Sequence, residues 1–268
     1  MDILDTRKCN LFNLSTLASY IGVNPEVLNG YYYELLEDKD FLKSINQQMH
    51  EVRSKWGFDK GIFSMGSIPS IDWFAFERVL IYVLIRHLKP YSVLETGVYY
   101  GGNTTFALQA LSKNSSGKLI SIDYPDSEIR VNGESSFRHS LVGDSELYNS
   151  KLRPGFMVPA YLKSCWHLIE GDSLKVIPEL EETFDMYIHD SDHSMKFLSL
   201  EIAAAWKKLS NNASILIDDI DWSNAFFQFC VQHRLYPLLM TDNGKDNLRV
   251  RTGFAMRNHK RNGDDLFT

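Results

Sequence analysis

Cysteine is scarce in this chain, and its scarcity excludes two chemistries. Cys9, Cys165 and Cys230 are odd in number and far apart. Their spacing forms neither a CxxC pair nor a Cys/His zinc set, and it builds no disulfide framework. They read as ordinary thiols of a reducing compartment. A long apolar run is missing too. The strongest, Val79–Ile85, is bounded by Arg78 and Arg86, far short of the ~20 residues that a membrane-crossing helix needs. Excess positive charge is also missing, and a net charge of −6 offers no basic field to DNA or RNA. The opening MDILDTRKCN lacks the basic-then-apolar order of a secretory signal. A cytoplasmic protein with neither a nucleic-acid nor a membrane partner is therefore expected.

What is present is the balance of a folded domain. At 268 residues, 44% hydrophobic and 23% charged, the chain can bury one sizeable core. Residues 1–70 read as a helical and mixed extension, with Leu35, Leu42, Ile45 and Met49 at helical spacing across Glu34–Met49. Gly57–Ser70 is rich in glycine, with Phe58, Phe63 and Met65 among the glycines, and reads as a connector, a pocket wall or a homo-oligomer contact.

From residue 71 the pattern changes. Asp72–Leu88 is an amphipathic helix stopped by Pro90. Short apolar runs then alternate with helical patterns. The predicted strands are Ser92–Glu95, Lys118–Asp123, Trp166–Glu170, Phe184–His189 and Ser214–Asp218. The predicted helices are Thr104–Leu111, Leu174–Leu180, Ser194–Leu209 and Asn224–His233. Tyr236–Thr241 and Thr252–Arg257 read as a closing antiparallel hairpin joined through Asp242–Asn247. The fold class expected is α/β, a doubly wound, mostly parallel seven-stranded sheet. The catalytic domain then spans 71–258, followed by a polar tail over 259–268. The long connection Pro125–Lys163 reads as a lid or substrate wall.

Open sheets of this kind bind ligands at the carboxyl ends of their strands, where this sequence places Glu95, Asp123, Asp172, Asp190, Asp218 and Asp219. The string VLETGVYYGGNTTFAL (Val93–Leu108) is a strand, a glycine turn and a helix start. Gly97 permits a tight turn, Gly101 and Gly102 permit close approach of a ligand, and Thr104 or Asn103 is expected to cap the helix. The spacing is GxxxGG rather than the GxGxxG of a dinucleotide site. Glu95 would repel a pyrophosphate but suits a cationic amino-acid or sulfonium group. Asp123 is placed to accept from the hydroxyls of a ribose and Asp172 from an adenine amino group, while Tyr99 and Tyr100 read as contacting or covering the cofactor or as core.

This arrangement resembles the class I S-adenosylmethionine-dependent methyltransferases, over roughly residues 71–258. Their E/DxGxxxG turn and the acids after the second and third strands correspond to Glu95, Gly97, Tyr99, Gly101 and Thr104, to Asp123 and to Asp172. Polyamine synthases share the turn. The resemblance implies S-adenosylmethionine as cofactor.

A second constellation lies in YIHDSDH (Tyr187–His193) and ILIDDIDW (Ile215–Trp222). Asp190, Asp218 and Asp219, at the ends of adjacent strands, would repel one another unless a cation sat between them, and oxygen ligation suits Mg²⁺ or Ca²⁺. The competing reading is an ordinary strand-end acid with a helix-capping pair. Asp190 and His193 are the catalytic candidates, His193 as general base or else as a substrate-contacting or helix-capping histidine, whereas His189 is expected to pack or hydrogen-bond internally. Trp222 and Phe226–Phe227 read as an apolar substrate wall or as core. The DxxH with an acid pair resembles the metal-dependent sugar O-methyltransferases of the macrocin/mycinamicin type, which implies Mg²⁺ on Asp190, Asp218 and Asp219 and a small hydroxyl acceptor, a sugar or secondary metabolite. Catechol and caffeoyl-CoA O-methyltransferases carry Asp-Asn at the second pair, and cephalosporin hydroxylase-like proteins share the layout. The alternatives are a nicotinamide-dependent oxidoreductase and a non-catalytic cofactor-binding protein.

Overall fold

A computed structural model describes residues 3–56, 75–124, 153–243 and 248–259. Within them three helices come first: α1 (Ile3–Ile21), α2 (Pro25–Glu37) and α3 (Lys39–Trp56). The single helical run expected over Glu34–Met49 is broken at Asp38, whose backbone leaves the helical region. The Asp38 carboxylate accepts from the Phe41 N–H at 3.1 Å and so caps α3. Gly57–Ser70, the start of the helix expected from Asp72, most of Pro125–Lys163 and the centre of Asp242–Asn247 lie outside the described residues, as does most of the polar tail.

The helix α4 (Phe76–Leu88) buries a continuous block, Val79–Ile85, and ends at Lys89 in the left-handed region, ahead of Pro90. The alternating part follows: β1 (Ser92–Thr96), α5 (Gly102–Asn114), β2 (Lys118–Asp123), a 3₁₀ turn over Ala160–Cys165, β3 (Trp166–Glu170) and α6 (Ser173–Glu179). It continues through β4 (Phe184–His189), α7 (Met195–Trp206), β5 (Leu209–Ile217) and α8 (Ala225–His233), and closes with β6 (Leu238–Asn243) and β7 (Leu248–Met256). The strand order is β3-β2-β1-β4-β5-β7-β6. β1 to β5 are parallel, and β7 runs antiparallel to both β5 and β6. This is the seven-stranded sheet expected, with the expected antiparallel end.

β1 is buried at every position, as a parallel strand covered on both faces must be. One face of the sheet carries a core shared with α1 to α5, including Leu17, Leu28, Leu35, Phe41 and Phe106. The other carries Ile177, Leu198, Ile202, Phe226 and Phe229 from α6, α7 and α8. β5 begins five residues earlier than expected because Ser210–Asn212 are polar and carry no strand pattern. Leu209 nevertheless pairs with Phe184 of β4, and Arg257 donates to the Leu209 carbonyl. Among the described residues no helix is long and apolar enough to cross a membrane.

Candidate active site

The switch point of the sheet lies between β1 and β4, whose neighbours β2 and β5 extend it outward. The turn after β1 is fixed by backbone bonds: the Gly97 N–H donates to the Ile122 carbonyl at 3.0 Å, and the Asp190 N–H donates to the Thr96 carbonyl at 2.9 Å. Gly97 has φ +82°, and a Cβ there would stand 2.0 Å from the Asp190 carbonyl oxygen. No other residue allows the turn to lie against the end of β4. Tyr99 is also left-handed, at φ +51°. Gly101, at φ +96°, precedes α5 without a side-chain cap. Neither residue expected to cap α5 does so. Thr104 is fully buried and its hydroxyl donates to Glu95 Oε2 at 2.8 Å. Asn103 instead donates to Glu77 Oε1 at 2.7 Å and to Asp190 Oδ2 at 2.9 Å.

Glu95 has no exposure. Burial pushes its pKa up to about 7, against the lowering effect of the bonds from Ser121 and Thr104. Both bonds reach Oε2, leaving the buried Oε1 without a hydrogen-bond partner. A buried acceptor that lacks a donor is a position where a donor-bearing group fits. Asp123 is buried at the end of β2, and its Oδ2 accepts from the Val98 N–H at 2.9 Å and the Tyr99 N–H at 2.6 Å. It thereby ties the turn to β2. Asp172 caps α6, accepting from the Leu174 N–H at 3.0 Å, and pairs with Lys175 at 3.4 Å.

At the ends of β4 and β5 the acids converge, though not in the grouping expected. Carboxylate oxygens of Glu77, Asp190 and Asp218 come within 4.8 Å of one another. Burial and then the other acids drive Glu77 and Asp190 well above the usual carboxylate range. Burial pushes Asp218 up to about 6, opposed by Arg251. Asp219, expected as a third member, lies in the left-handed region at φ +48° beside this group, where it pairs with the Arg251 guanidinium and stands 3.7 Å from His193 Nε2. Arg251 also lies 3.4 Å from Asp218 Oδ2. Burial would lower the pKa of Arg251, but the two aspartates raise it.

Two participants were missed in the sequence. Glu77 opens a helix separated by 113 residues from Asp190, and it carried only the ordinary signal of an acid in a first helical turn. Arg251 stands on β7 with no motif around it. Only the tertiary fold joins them to the cluster.

The His193 ring, almost fully buried, holds its Nε2 3.7 Å from both Asp190 Oδ1 and Asp219 Oδ2. Burial, then His189, lowers its pKa to about 4, so the imidazole is uncharged near neutrality. Trp222 stands beside it, ring centroids 6.1 Å apart, and is 43% exposed, as a wall of an open site would be. Phe226 is core, pressed against Gly253. His189 is fully buried and bonded to Glu201 at 2.6 Å, the internal role expected of it.

Residues 94–220 match a family model described as a methyltransferase domain. Among solved structures the chain is similar to a putative O-methyltransferase from Klebsiella pneumoniae, with TM-score 0.50 and 15% identity over 86% of this chain and 96% of that one. It is equally similar to an O-methyltransferase from Bacillus cereus in complex with SAH, with TM-score 0.51 and 15% identity over 85% and 96% of the two chains. No curated protein matches it significantly.

Proposed function

We propose, for a chain whose residues 94–220 match a methyltransferase domain model, transfer of a methyl group from S-adenosylmethionine to a hydroxyl of a sugar or secondary metabolite, assisted by Mg²⁺. One observation carries this reading. The glycine turn with its unsatisfied Glu95 oxygen and the Glu77–Asp190–Asp218 cluster lie at the same end of the sheet, joined by Gly97 against Asp190. Glu95, the 97–102 turn and Asp123 would hold the cofactor, with Asp172 at its adenine end. Glu77, Asp190 and Asp218 fit a hard divalent cation, since Asp218 Oδ1 is buried without a partner and the cluster raises its own pKa values. Asp219 contributes through Arg251 rather than as a ligand.

When bound, S-adenosylmethionine supplies an electrophilic methyl on a sulfonium, and the cation supplies positive charge that favours an ionised hydroxyl. The remaining work belongs to the chain. His193, neutral near pH 7, offers an imidazole nitrogen to the hydroxyl proton. Asp190 and Asp219 flank that nitrogen at 3.7 Å and stabilise the imidazolium once the proton has moved. Trp222 covers the acceptor side. In-line transfer asks for little beyond this positioning.

Isothermal titration with S-adenosylmethionine and with NADH tests the cofactor, and binding of NADH alone would overturn the reading. Methyl transfer from labelled cofactor to a panel of hydroxylated sugars and phenols tests the acceptor class. A second reading, without metal, is favoured by Arg251, which already places a positive charge beside Asp218 and Asp219. Loss of transfer in EDTA with recovery on Mg²⁺ supports the first reading, and full activity in EDTA supports the second.

A further inference from the structure

Glu201 sits in the middle of α7 with no exposure, on a helix whose other polar residues are Lys196 and Ser199 and which no part of the chemistry above uses. A carboxylate is buried at high cost unless several donors reach it. Here five do. Oε2 accepts from the Thr96 hydroxyl at 2.9 Å, the Tyr187 hydroxyl at 3.0 Å and the Ser191 hydroxyl at 2.8 Å, with His189 Nδ1 at 2.6 Å. Oε1 accepts from the Ser173 hydroxyl. Burial alone would raise its pKa, but the bonds from His189, Ser173 and Ser191 outweigh that and hold the group below the usual range.

These donors share a location. Thr96 ends β1, Tyr187 and His189 lie at the end of β4, Ser173 begins α6, and Ser191 lies in the turn that leaves β4. That turn, residues 190–193, carries Asp190 at one end and His193 at the other. Its other contacts include the Asp190 N–H on Thr96, the Asn103 amide on the Asp190 carboxylate, and the Ser194 N–H on the Asp192 carboxylate at 2.8 Å. The His189 ring meets the His193 ring edge-on, with centroids 5.3 Å apart and planes at 90°. Glu201 thus touches the turn through Ser191 and supports His193 through His189.

We infer that Glu201 is a positioning residue, a buried carboxylate whose bonds to His189 and Ser191 set the place of Asp190 and His193 in the site. The inference rests on the methyltransferase reading for the importance of those two residues, but its geometry stands apart from that reading. An error of about 1 Å in such groups costs on the order of 100-fold in rate, so a buried acid that holds them in place has a direct effect on turnover.

The test compares Glu201→Gln, Ser191→Ala and Ser173→Ala in the full chain by amide hydrogen exchange, histidine ring NMR and titration with S-adenosylhomocysteine. Glu201→Gln is expected to speed exchange about tenfold in residues 189–193 while β1 and α7 stay protected, and to shift the His193 ring signals. Ser191→Ala should reproduce both effects more weakly. Ser173→Ala, which touches the same carboxylate from α6, should leave the turn and His193 as they are. Should Glu201→Gln fail to fold, the contrast between the two serine variants decides alone. Unchanged exchange in 189–193, exchange raised equally across the sheet, or equal effects of the two serine variants would overturn the inference. Failure of the wild-type chain to bind S-adenosylhomocysteine would overturn the methyltransferase reading instead, leaving the exchange result to stand.

Discussion

At the scale of single residues, the site stores its unfavourable terms in a few side chains. Glu95 has a folded pKa of about 7 against an ordinary 4.5. A raised carboxyl pKa means that the folded state favours the neutral form. Its contribution is fully present below about pH 4.5 and is lost as pH rises towards 7, by about 3 kcal/mol in all. Glu95→Gln keeps an oxygen for Ser121 and Thr104 but carries no charge. Its melting temperature relative to wild type should therefore climb between pH 5 and pH 8, while its affinity for S-adenosylmethionine falls. A difference in melting temperature that stays flat over that range would refute the assignment. Gly97 fails differently. Gly97→Ala drives a methyl into the Asp190 carbonyl at a positive φ, and a loss of more than about 2 kcal/mol is expected from strain and displacement together. Denaturant unfolding measures that loss, and titration should show cofactor binding lost with it.

Elements decide which acids can meet. The sheet was legible in the sequence because buried parallel strands are short apolar runs. Three of them, Lys118–Asp123, Trp166–Glu170 and Phe184–His189, have the ends expected. The strand-end acids were legible for the same reason, since the register of β4 beside β5 brings His189 level with Ile217 and so places Asp190 next to Asp218. The side chains' directions were not legible. Asp219 and Asp218 are consecutive and both reach Arg251, yet only Asp218 also groups with Glu77 and Asp190, while Asp219, at a left-handed φ, stands beside His193. That twist leaves no trace in composition or spacing. Nor does Thr104, which reads as a helix cap and serves as a buried donor to Glu95. β7 supplies the test at this scale. Arg251→Met removes the cation from Asp218 and Asp219, so the melting temperature should fall in EDTA and recover in part with millimolar Mg²⁺, because a divalent ion then takes over the neutralisation. An equal fall with and without Mg²⁺ would speak against a cation at the cluster.

Across the whole molecule, the N-terminal helices and the sheet share one core. Leu28 and Leu35 of α2 are fully buried in the same cluster as Val93 of β1 and Leu119 of β2. Tyr82 of α4 donates to Glu34 at 2.5 Å, and Arg86 pairs with Glu34 at 2.8 Å. Leu35→Ala should cost about 2–5 kcal/mol, and calorimetry should show the chain unfolding in a single, lower transition. A separate early transition would mean that the helices unfold apart from the sheet. The tie between distant parts is drawn more tightly at the cofactor turn. The Gly155 N–H donates to the Tyr99 carbonyl at 2.8 Å and the Met157 N–H to the Tyr100 carbonyl at 2.9 Å, while the Trp166 ring lies where any side chain at Gly155 would stand. The turn and the segment Gly155–Met157 are two rails joined by a pair of sleepers. A shift of the turn at Tyr99 and Tyr100 is therefore carried directly into Gly155–Met157.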